Sequence, residues 1–337
     1  MDTLKLLKKL TAAGALSGCE DALHNDLRTI LEQYGEVRTD GMKNIFCTFG
    51  QGPHFLLDAH MDEIGLIVTS ITDDGFLKFS ASGGVDRRFL PASEVTVLGK
   101  RRLRGVICSV PPHLRSNKEK KVNDISDLAV DIGFSKDEAE KLVEPGDRIL
   151  FHHQFDELCG CKVVSNCLDD RCGVASLLLT LDRLKKIPAK ITVMISAQEE
   201  VGTRGATAGT FSVDADEAIC VDVSFGYSPQ CSKEDCGMVS GGAMIGFSPV
   251  LDQEISRSLV KCAEKNHIPY QKEIMNGKTG TNADVITVSK SGVKCGLISI
   301  PLRYMHTPSE VIDVKDVEAT ADLIAAYISE RAGEWNA

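Results

Sequence analysis

The sequence predicts a mixed α/β fold, in which a mostly parallel sheet is sandwiched by helices and a mostly β segment is inserted into the chain. Short apolar runs at 55–59, 190–197 and 294–300 lack a polar–apolar alternation, which is typical of strands buried on both faces. Helical stretches separate several of these runs, as in parallel sheets. Between residues 66 and 164 the helical periodicity fades, and short β-like pieces with turns replace it.

The helices are predicted from apolar residues at helical spacing, bounded by caps and turns. They cover residues 3–13, 20–34, 135–142, 171–184, 251–267 and 283–289. Ser17 and Glu20 have the spacing of a capping box in front of the second helix. The predicted strands cover 55–59, 190–197, 217–221 and 294–300 and, in the middle of the chain, 65–71, 76–79, 94–98, 105–110 and 147–151.

The change of character at residue 66 divides the chain into two predicted domains. Residues 1–65 and 165–337 form a discontinuous α/β domain, and residues 66–164 form an inserted β-rich domain. A polar, charged stretch at 111–124 interrupts the inserted strands, and we expect it to be a mobile loop.

The composition excludes several classes of partner. With 48 acidic and 38 basic residues the net charge is −10, so we expect neither nucleic acid nor a membrane as a partner. The N-terminus lacks the apolar core of a signal peptide, and many of the 12 cysteines lie in apolar runs, as in reduced proteins. We therefore expect a cytoplasmic protein. Cys159, Cys161, Cys167 and Cys172 lack the paired spacing of a structural zinc site, which favours ordinary thiols.

The most informative local feature is the adjacent pair Glu199 and Glu200, which follows the apolar run 190–197 and precedes a Gly-rich turn. Neighbouring carboxylates within a strand point to opposite faces, but at the end of a strand they can converge on one ligand. Carboxylates held close together repel each other unless a cation lies between them. The pair therefore indicates a metal site.

Further candidate ligands follow other predicted strands. His60 comes directly after one apolar run, Asp222 after another, and His306 a few residues after a third, while Asp169 lies just before a predicted helix. In α/β sheets, ligands bind beyond the carboxyl ends of the strands. Two histidines and several carboxylates suit Zn²⁺, Co²⁺ or Mn²⁺, and a shared carboxylate suits two ions. Taken singly, each residue has an ordinary structural explanation, such as a helix N-cap for Asp169 or a turn acid for Asp222.

Five segments together resemble the glutamyl-aminopeptidase and cellulase-M-like group of di-metal metallopeptidases, and the similarity covers essentially the whole chain. The segments are 58–65 (DAHMDEIG), 168–171 (LDDR), 198–202 (QEEVG), 221–223 (VDV) and 304–310 (YMHTPSE). The resemblance implies a zinc-exopeptidase-like fold and a catalytic role for the α/β domain. Asn282 stands where the family often has Asp.

The resemblance also implies a role for each residue. His60 and Asp222 would hold one divalent ion, Glu200 and His306 the other, and Asp169 would bridge both; the Asp169–Asp170 peptide bond would be cis. Asp62 would accept a hydrogen bond from the second ring nitrogen of His60 and so orient the imidazole. Glu199, left free, would be the general base and acid.

Three hypotheses for the function follow. The first is an aminopeptidase that removes N-terminal residues from short peptides, using two ions per subunit (Zn²⁺ or Co²⁺, with Mn²⁺ as an alternative). The second is a metal-dependent deacylase or amidohydrolase acting on small N-acyl compounds. The third is a non-catalytic assembly protein with a vestigial site. A glycosidase needs two carboxylates about 5–9 Å apart across a sugar, which adjacent glutamates do not readily provide.

The resemblance further implies homo-oligomerisation through the inserted domain. We expect a homododecamer built from dimers, with residues 111–124 near a subunit contact or the entrance of the active site.

Overall fold

The computed structural model of this protein describes residues 1–114, 122–184 and 187–335. Its strands are, in chain order, β1 (Glu36–Thr39), β2 (Ile45–Gly50), β3 (His54–His60), β4 (Gly65–Ile71), β5 (Leu77–Ser82), β6 (Glu94–Leu98), β7 (Arg102–Ile107), β8 (Val130–Asp131), β9 (Arg148–Phe151), β10 (Phe155–Leu158), β11 (Lys162–Ser165), β12 (Lys190–Ser196), β13 (Glu217–Phe225), β14 (Ala243–Phe247), β15 (Tyr270–Ile274), β16 (Lys294–Leu302) and β17 (Glu310–Asp313). Its α-helices are α1 (Thr3–Ala12), α2 (Asp21–Leu31), α3 (Lys136–Leu142), α4 (Leu168–Arg183), α5 (Arg204–Phe211), α6 (Gln253–Lys265), α7 (Ala283–Ile286) and α8 (Val314–Trp335).

The larger sheet has eight strands in the order β1-β2-β12-β3-β13-β16-β14-β15. The four central strands β12, β3, β13 and β16 are mutually parallel. On either side, β2 and β14 join this centre in the antiparallel direction, and β15 runs parallel to β14. The mixed α/β class predicted from the sequence is therefore confirmed.

Strand β3 shows why its apolar run lacks an alternation. Phe55 and Leu57 belong to the core between the sheet and the long helices α4 and α8, whereas Leu56 belongs to a second core on the opposite face. Because both faces of the strand are covered, apolar residues occupy successive positions. The helices cover the two faces of the sheet unequally. Within the described part of the chain, the helical residues of the second core come only from the short helices α5 and α7.

Six strands of the middle segment form a closed barrel in the order β4-β5-β8-β7-β6-β9. The barrel has its own hydrophobic core, to which Leu66, Val97 and Ile149 contribute. Strand β7 spans Arg102–Ile107 and not the predicted 105–110. Its side chains alternate between exposed and buried positions, so its signal is a period of two and not an apolar run.

Strands β10 and β11 fall largely within the range predicted for the inserted domain, but they do not belong to the barrel. They pair with each other, and β11 also pairs with β17 near the end of the chain, which gives a small three-stranded sheet. The division into domains stays a prediction.

Two local predictions have different outcomes. The capping box in front of α2 is wrong, because α2 has no side-chain cap and the Ser17 hydroxyl donates instead to Asp62 Oδ2, at 2.6 Å. The predicted mobile loop at 111–124 contains residues 115–121, which lie outside the described residues. Within the ranges that the structure describes, no helix is both long and apolar enough to cross a membrane.

Candidate metal centre

The parallel centre of the larger sheet brings several predicted site residues to one edge. Ser196 at the end of β12 pairs with His60 at the end of β3. Strand β13 runs parallel to β3 and carries Asp222 near its own end, while Glu199 and Glu200 follow β12. Because parallel strands end at the same edge of a sheet, residues from distant parts of the sequence meet there.

The first cluster consists of His60, Asp169 and Asp222, whose ligand atoms all lie within 4.8 Å of one another. His60 Nε2 is 3.1 Å from Asp169 Oδ1. All three side chains are buried. Imidazole nitrogen and carboxylate oxygens are suitable donors for a divalent transition metal, so this cluster can hold an ion.

The second cluster consists of Asp169, Glu200 and His306, with ligand atoms again within 4.8 Å of one another. His306 Nε2 is 3.4 Å from Glu200 Oε2 and 3.5 Å from Asp169 Oδ2. Asp169 therefore presents one carboxylate oxygen to each cluster. The five predicted metal ligands are together, and Asp169 is the residue that the two clusters share.

The backbone at the start of α4 explains how Asp169 is free for this position. Asp169 and Asp170 have non-helical backbone angles, and the peptide bond between them is cis. The N–H of Gly173 donates to Asp170 Oδ1 at 3.1 Å, three residues on, as at a helix N-cap. The capping role considered for Asp169 therefore belongs to Asp170.

Asp62 connects the two strand ends behind the clusters. Its carboxylate accepts the backbone N–H of Glu199 at 2.8 Å and of Glu200 at 3.2 Å. His60 Nδ1 lies 3.2 Å from the carbonyl oxygen of Asp62 and 3.5 Å from its carboxylate. The position of His60 and of both glutamates thus depends on one fully buried residue, to which Ser17 also donates.

The side chain of Glu199 differs from that of its neighbour. Glu199 lines a cavity of about 1060 Å³ together with all five candidate ligands. Among the described residues, no donor forms a hydrogen bond with its carboxylate, and it belongs to neither cluster. Burial, with the nearby carboxylate of Glu200, raises the pKa of Glu199 to about 7. A carboxyl group with a pKa near neutrality is suited to accept and release a proton.

The electrostatics of the clusters fit a cation. Burial raises the pKa of both Glu200 and Asp222. Burial would lower the pKa of His306, but hydrogen bonds with Asp169 and Glu200 outweigh it and raise the pKa to about 11. The carboxylates thus favour positive charge on His306, and a divalent ion supplies positive charge without a proton.

Two contributors to the site were not assigned roles from the sequence. Buried Glu310 accepts the backbone N–H of Asp169 and of His306, each at 3.1 Å. The carbonyl oxygen of Gly84, between β5 and β6 of the barrel, lies 2.9 Å from His306 Nδ1. Glu310 could have been suspected because it follows His306 in the same short segment. A backbone carbonyl leaves no signal in the sequence.

Two other polar residues near the site, Glu63 and Asn282, make structural contacts. Glu63 is buried and accepts from the Arg171 guanidinium at 3.3 Å and from the backbone N–H of Ala15 at 2.7 Å. Asn282 donates to Asp58 and to Ser196, each at 2.8 Å, and does not line the large cavity. A direct contact of Asn282 with a substrate is therefore not supported.

The cysteines do not form the alternative zinc site within the described residues. Cys159 and Cys161 are exposed, while Cys167 and Cys172 are buried. A third group that could hold an ion contains Cys167 together with Glu63 and His153. Arg171 already supplies a positive charge to Glu63 there.

A mixed α/β sheet with two carboxylate–histidine clusters at the ends of its parallel strands is typical of metal-dependent hydrolases. Comparison with known proteins narrows this class. The family model described as M42 glutamyl aminopeptidase matches residues 43–323, and the chain belongs to that family.

Its relatives carry similar names. The lysyl aminopeptidase of Pyrococcus furiosus is 32% identical, covering 97% of this chain and 96% of the relative. The structure of aminopeptidase APDkam598 from Desulfurococcus kamchatkensis is 33% identical, with a TM-score of 0.94 and coverage of 99% and 96% of the two chains. The TET1 peptidase of Pyrococcus horikoshii, described as assembling into a tetrahedron or a large octahedral shell, is 32% identical with a TM-score of 0.85 and coverage of 96% and 98%. Aminopeptidase activity is thus supported by family and relatives alike.

Proposed function

We propose that this protein is a metal-dependent aminopeptidase that removes N-terminal residues from short peptides, with Glu199 as the general base. The observation that carries the proposal is the pair of clusters that share Asp169, with the unbonded carboxylate of Glu199 in the same cavity. Membership of the M42 family supports the same activity.

Two divalent ions per subunit, Zn²⁺ or Co²⁺ with Mn²⁺ as the alternative, are part of this proposal. His60 and Asp222 would hold one ion, Glu200 and His306 the other, and Asp169 both. The spacing of the ligand atoms, within 4.8 Å in each cluster, supports this assignment. Nitrogen and oxygen donors alone do not select among the three metals.

The proposed reaction is the hydrolysis of the first peptide bond. The bound ions would supply positive charge that makes water more acidic and stabilises an oxyanion. The Glu199 carboxylate accepts a proton from the attacking water and later delivers it to the leaving amine. Asp62 fixes the backbone of Glu199 through the 2.8 Å hydrogen bond, so that the carboxylate stays in reach of the reacting atoms.

Assembly is the second part of the proposal. We expect residues 66–164, which contain the barrel strands, to act as an inserted oligomerisation domain and the rest of the chain as the catalytic domain. A homododecamer built from dimers is supported by the tetrahedral assembly described for the related TET1 peptidase. The cytoplasmic location stays a prediction.

Replacement of Glu199 tests the mechanism. Glu199→Gln keeps the size of the side chain but cannot accept a proton, so we expect metal content and thermal stability near those of the wild type and almost no hydrolysis of aminoacyl anilides. Metal content is measured by elemental analysis. The matched control is Glu264→Gln, an exposed glutamate outside the cavity, which should retain full activity.

Near-wild-type turnover of Glu199→Gln would remove Glu199 from the mechanism. A second substrate separates the alternative function. N-acetylated amino acids lack a free amine, and their hydrolysis in preference to aminoacyl anilides would favour the deacylase over the aminopeptidase.

A further inference from the structure

The large cavity extends from the metal clusters along one face of the sheet to Glu273 on β15. In the strand register, Asp222 on β13 is opposite Ser299 on β16, which is opposite Met244 on β14. Paired residues point to the same face, as do residues two apart on one strand. Ser224, two residues beyond Asp222, therefore lies on this face too, at a strand distance of about 7 Å from Asp222.

The carboxylate of Glu273 reaches across β14 to these neighbours. In the strand register, Glu273 is opposite Gly246 of β14, which has no side chain to block the path of the carboxylate. Its Oε1 accepts the hydroxyl of Ser224, and its Oε2 accepts the hydroxyl of Ser299 at 2.8 Å. Both serines are buried, so two fixed donors hold the carboxylate at the wall of the cavity.

Among the described residues, half-buried Glu273 has no cationic partner, in contrast to a buried glutamate of the same sheet. Glu217, the first residue of β13, is buried and accepts from the Arg331 guanidinium at 2.7 Å. In the described part of the chain, Glu273 has neither an ion pair nor a nearby positive charge that affects it. Burial accordingly raises its pKa, against the two serine hydrogen bonds. A partly desolvated carboxylate without a cationic partner is stabilised by any cation that enters the cavity.

The exposed charges that line the cavity do not reverse this preference of Glu273 for a cation. Lys272 and Lys278 line the cavity but are exposed, as are Glu234 and Asp235. Water and salt screen exposed charges, whereas a partly desolvated charge interacts more strongly. Half-buried Glu273 is therefore expected to contribute more to selection among substrates than these exposed charges.

We infer that Glu273 selects peptides whose N-terminal residue carries a cationic side chain, lysine or arginine. This inference rests on the proposed function, which places the amine and the scissile bond at the metal clusters. A lysine carries its charge on a flexible four-carbon stem, and an arginine can donate to both carboxylate oxygens. From a substrate carbonyl near Asp222, such a side chain extends along the cavity wall towards Glu273.

The test is a panel of aminoacyl anilides of lysine, arginine, norleucine, leucine and glutamate on metal-saturated enzyme. Norleucine matches the lysine stem without its charge. We expect kcat/KM for lysine and arginine to exceed that for norleucine by about tenfold or more, and glutamate to be the poorest substrate. Competitive inhibition of the wild type by free lysine, stronger than by free norleucine, gives a second measurement that needs no variant.

Glu273→Gln preserves the shape of the side chain and removes its charge. Its amide oxygen can accept from one serine hydroxyl, and its amide nitrogen can donate to the oxygen of the other serine, whose hydroxyl then turns away. It should remove most of the preference for lysine over norleucine while the rate with leucine changes little. Glu264→Gln, the same charge change outside the cavity, should leave the preference intact. A preference that survives in Glu273→Gln, or that disappears in Glu234→Gln instead, overturns the assignment to Glu273.

The two proposals fail in different ways. If the metal-saturated wild type hydrolyses neutral aminoacyl anilides but prefers leucine or glutamate, the inference about Glu273 is wrong and the aminopeptidase proposal stands. If it hydrolyses none of the anilides, the proposed function fails and the inference about Glu273 fails with it.

Discussion

His60 and Asp222 lie on the strands β3 and β13, whereas Glu200 and His306 lie on the turns that follow β12 and β16. The first two, the strand-held pair, are 2% and 6% exposed. The other two, the turn-held pair, include a histidine whose side chain is 31% exposed and whose φ is +61°. Asp169 belongs to both.

One half of the site is therefore fixed by the sheet, and the other half by individual hydrogen bonds. In the strand-held pair, His60 is paired with Ser196 of β12 and Asp222 with Ser299 of β16. His306 depends instead on Glu310 and on the carbonyl of Gly84, and a non-glycine residue at positive φ persists only where its surroundings hold it. We therefore expect the turn-held half to exchange its ion more readily than the strand-held half.

The largest effect is expected at the residue that both halves share. Asp169→Asn removes one negative charge from both clusters, so we expect loss of both ions and a fall in kcat/KM on the order of 10³-fold. Elemental analysis and anilide hydrolysis measure the two effects. If the variant keeps one ion and lacks only the other, Asp169 is a ligand of one half and not the link between them.

The second prediction distinguishes the two halves by whether a small molecule can reach the position of each histidine. His60→Gly and His306→Gly should each reduce kcat/KM by roughly 10²-fold or more, since each removes a ligand. Added imidazole should raise the activity of His306→Gly several-fold, because the side chain that it replaces is 31% exposed. It should not raise the activity of His60→Gly, where the replaced side chain is 2% exposed. An imidazole titration of the wild type corrects for inhibition. Equal rescue of both variants would show that the halves do not differ in access.

The smallest effect concerns the support that the barrel segment gives to His306. In Gly84→Ala the added Cβ would lie 2.8 Å from His306 Nδ1, which forces the imidazole to shift. We expect metal affinity to fall by roughly tenfold, with activity lost at limiting metal and recovered at saturating metal. Isothermal titration with the metal measures the affinity.

The matched control is Gly41→Ala, where the added Cβ would meet no atom within 4 Å. This variant should bind metal as the wild type does. If Gly84→Ala also binds normally, the barrel segment does not support the turn-held half.

Sequence patterns were most informative where burial on both faces or convergence at a strand end determines residue type. The run at 55–59 predicted β3 and the position of His60 because a doubly covered strand needs continuous apolar residues. Strand β15 was missed, since its positions are intermediate or exposed and carry no apolar run. The cavity wall that includes Glu273 was missed with it.

Contacts between residues that are distant in sequence could not be predicted. The capping box at Ser17 was a local interpretation, and a partner distant in sequence, Asp62, took its hydroxyl. The carbonyl of Gly84 reaches His306 from a segment 222 positions away. Such contacts follow from tertiary structure, which overrides local spacing.

The closed barrel has one further consequence for assembly. A strand in a closed barrel has a neighbour on each side, and β6 pairs along nearly its whole length with both β7 and β9, so it offers little free backbone edge to another copy of the chain. Copies that meet at the barrel would touch through side chains and loops, and exposed Val106 on β7 is one such side chain. Association of that kind can form and separate without unravelling any strand, which suits a particle that is put together from complete, already folded subunits.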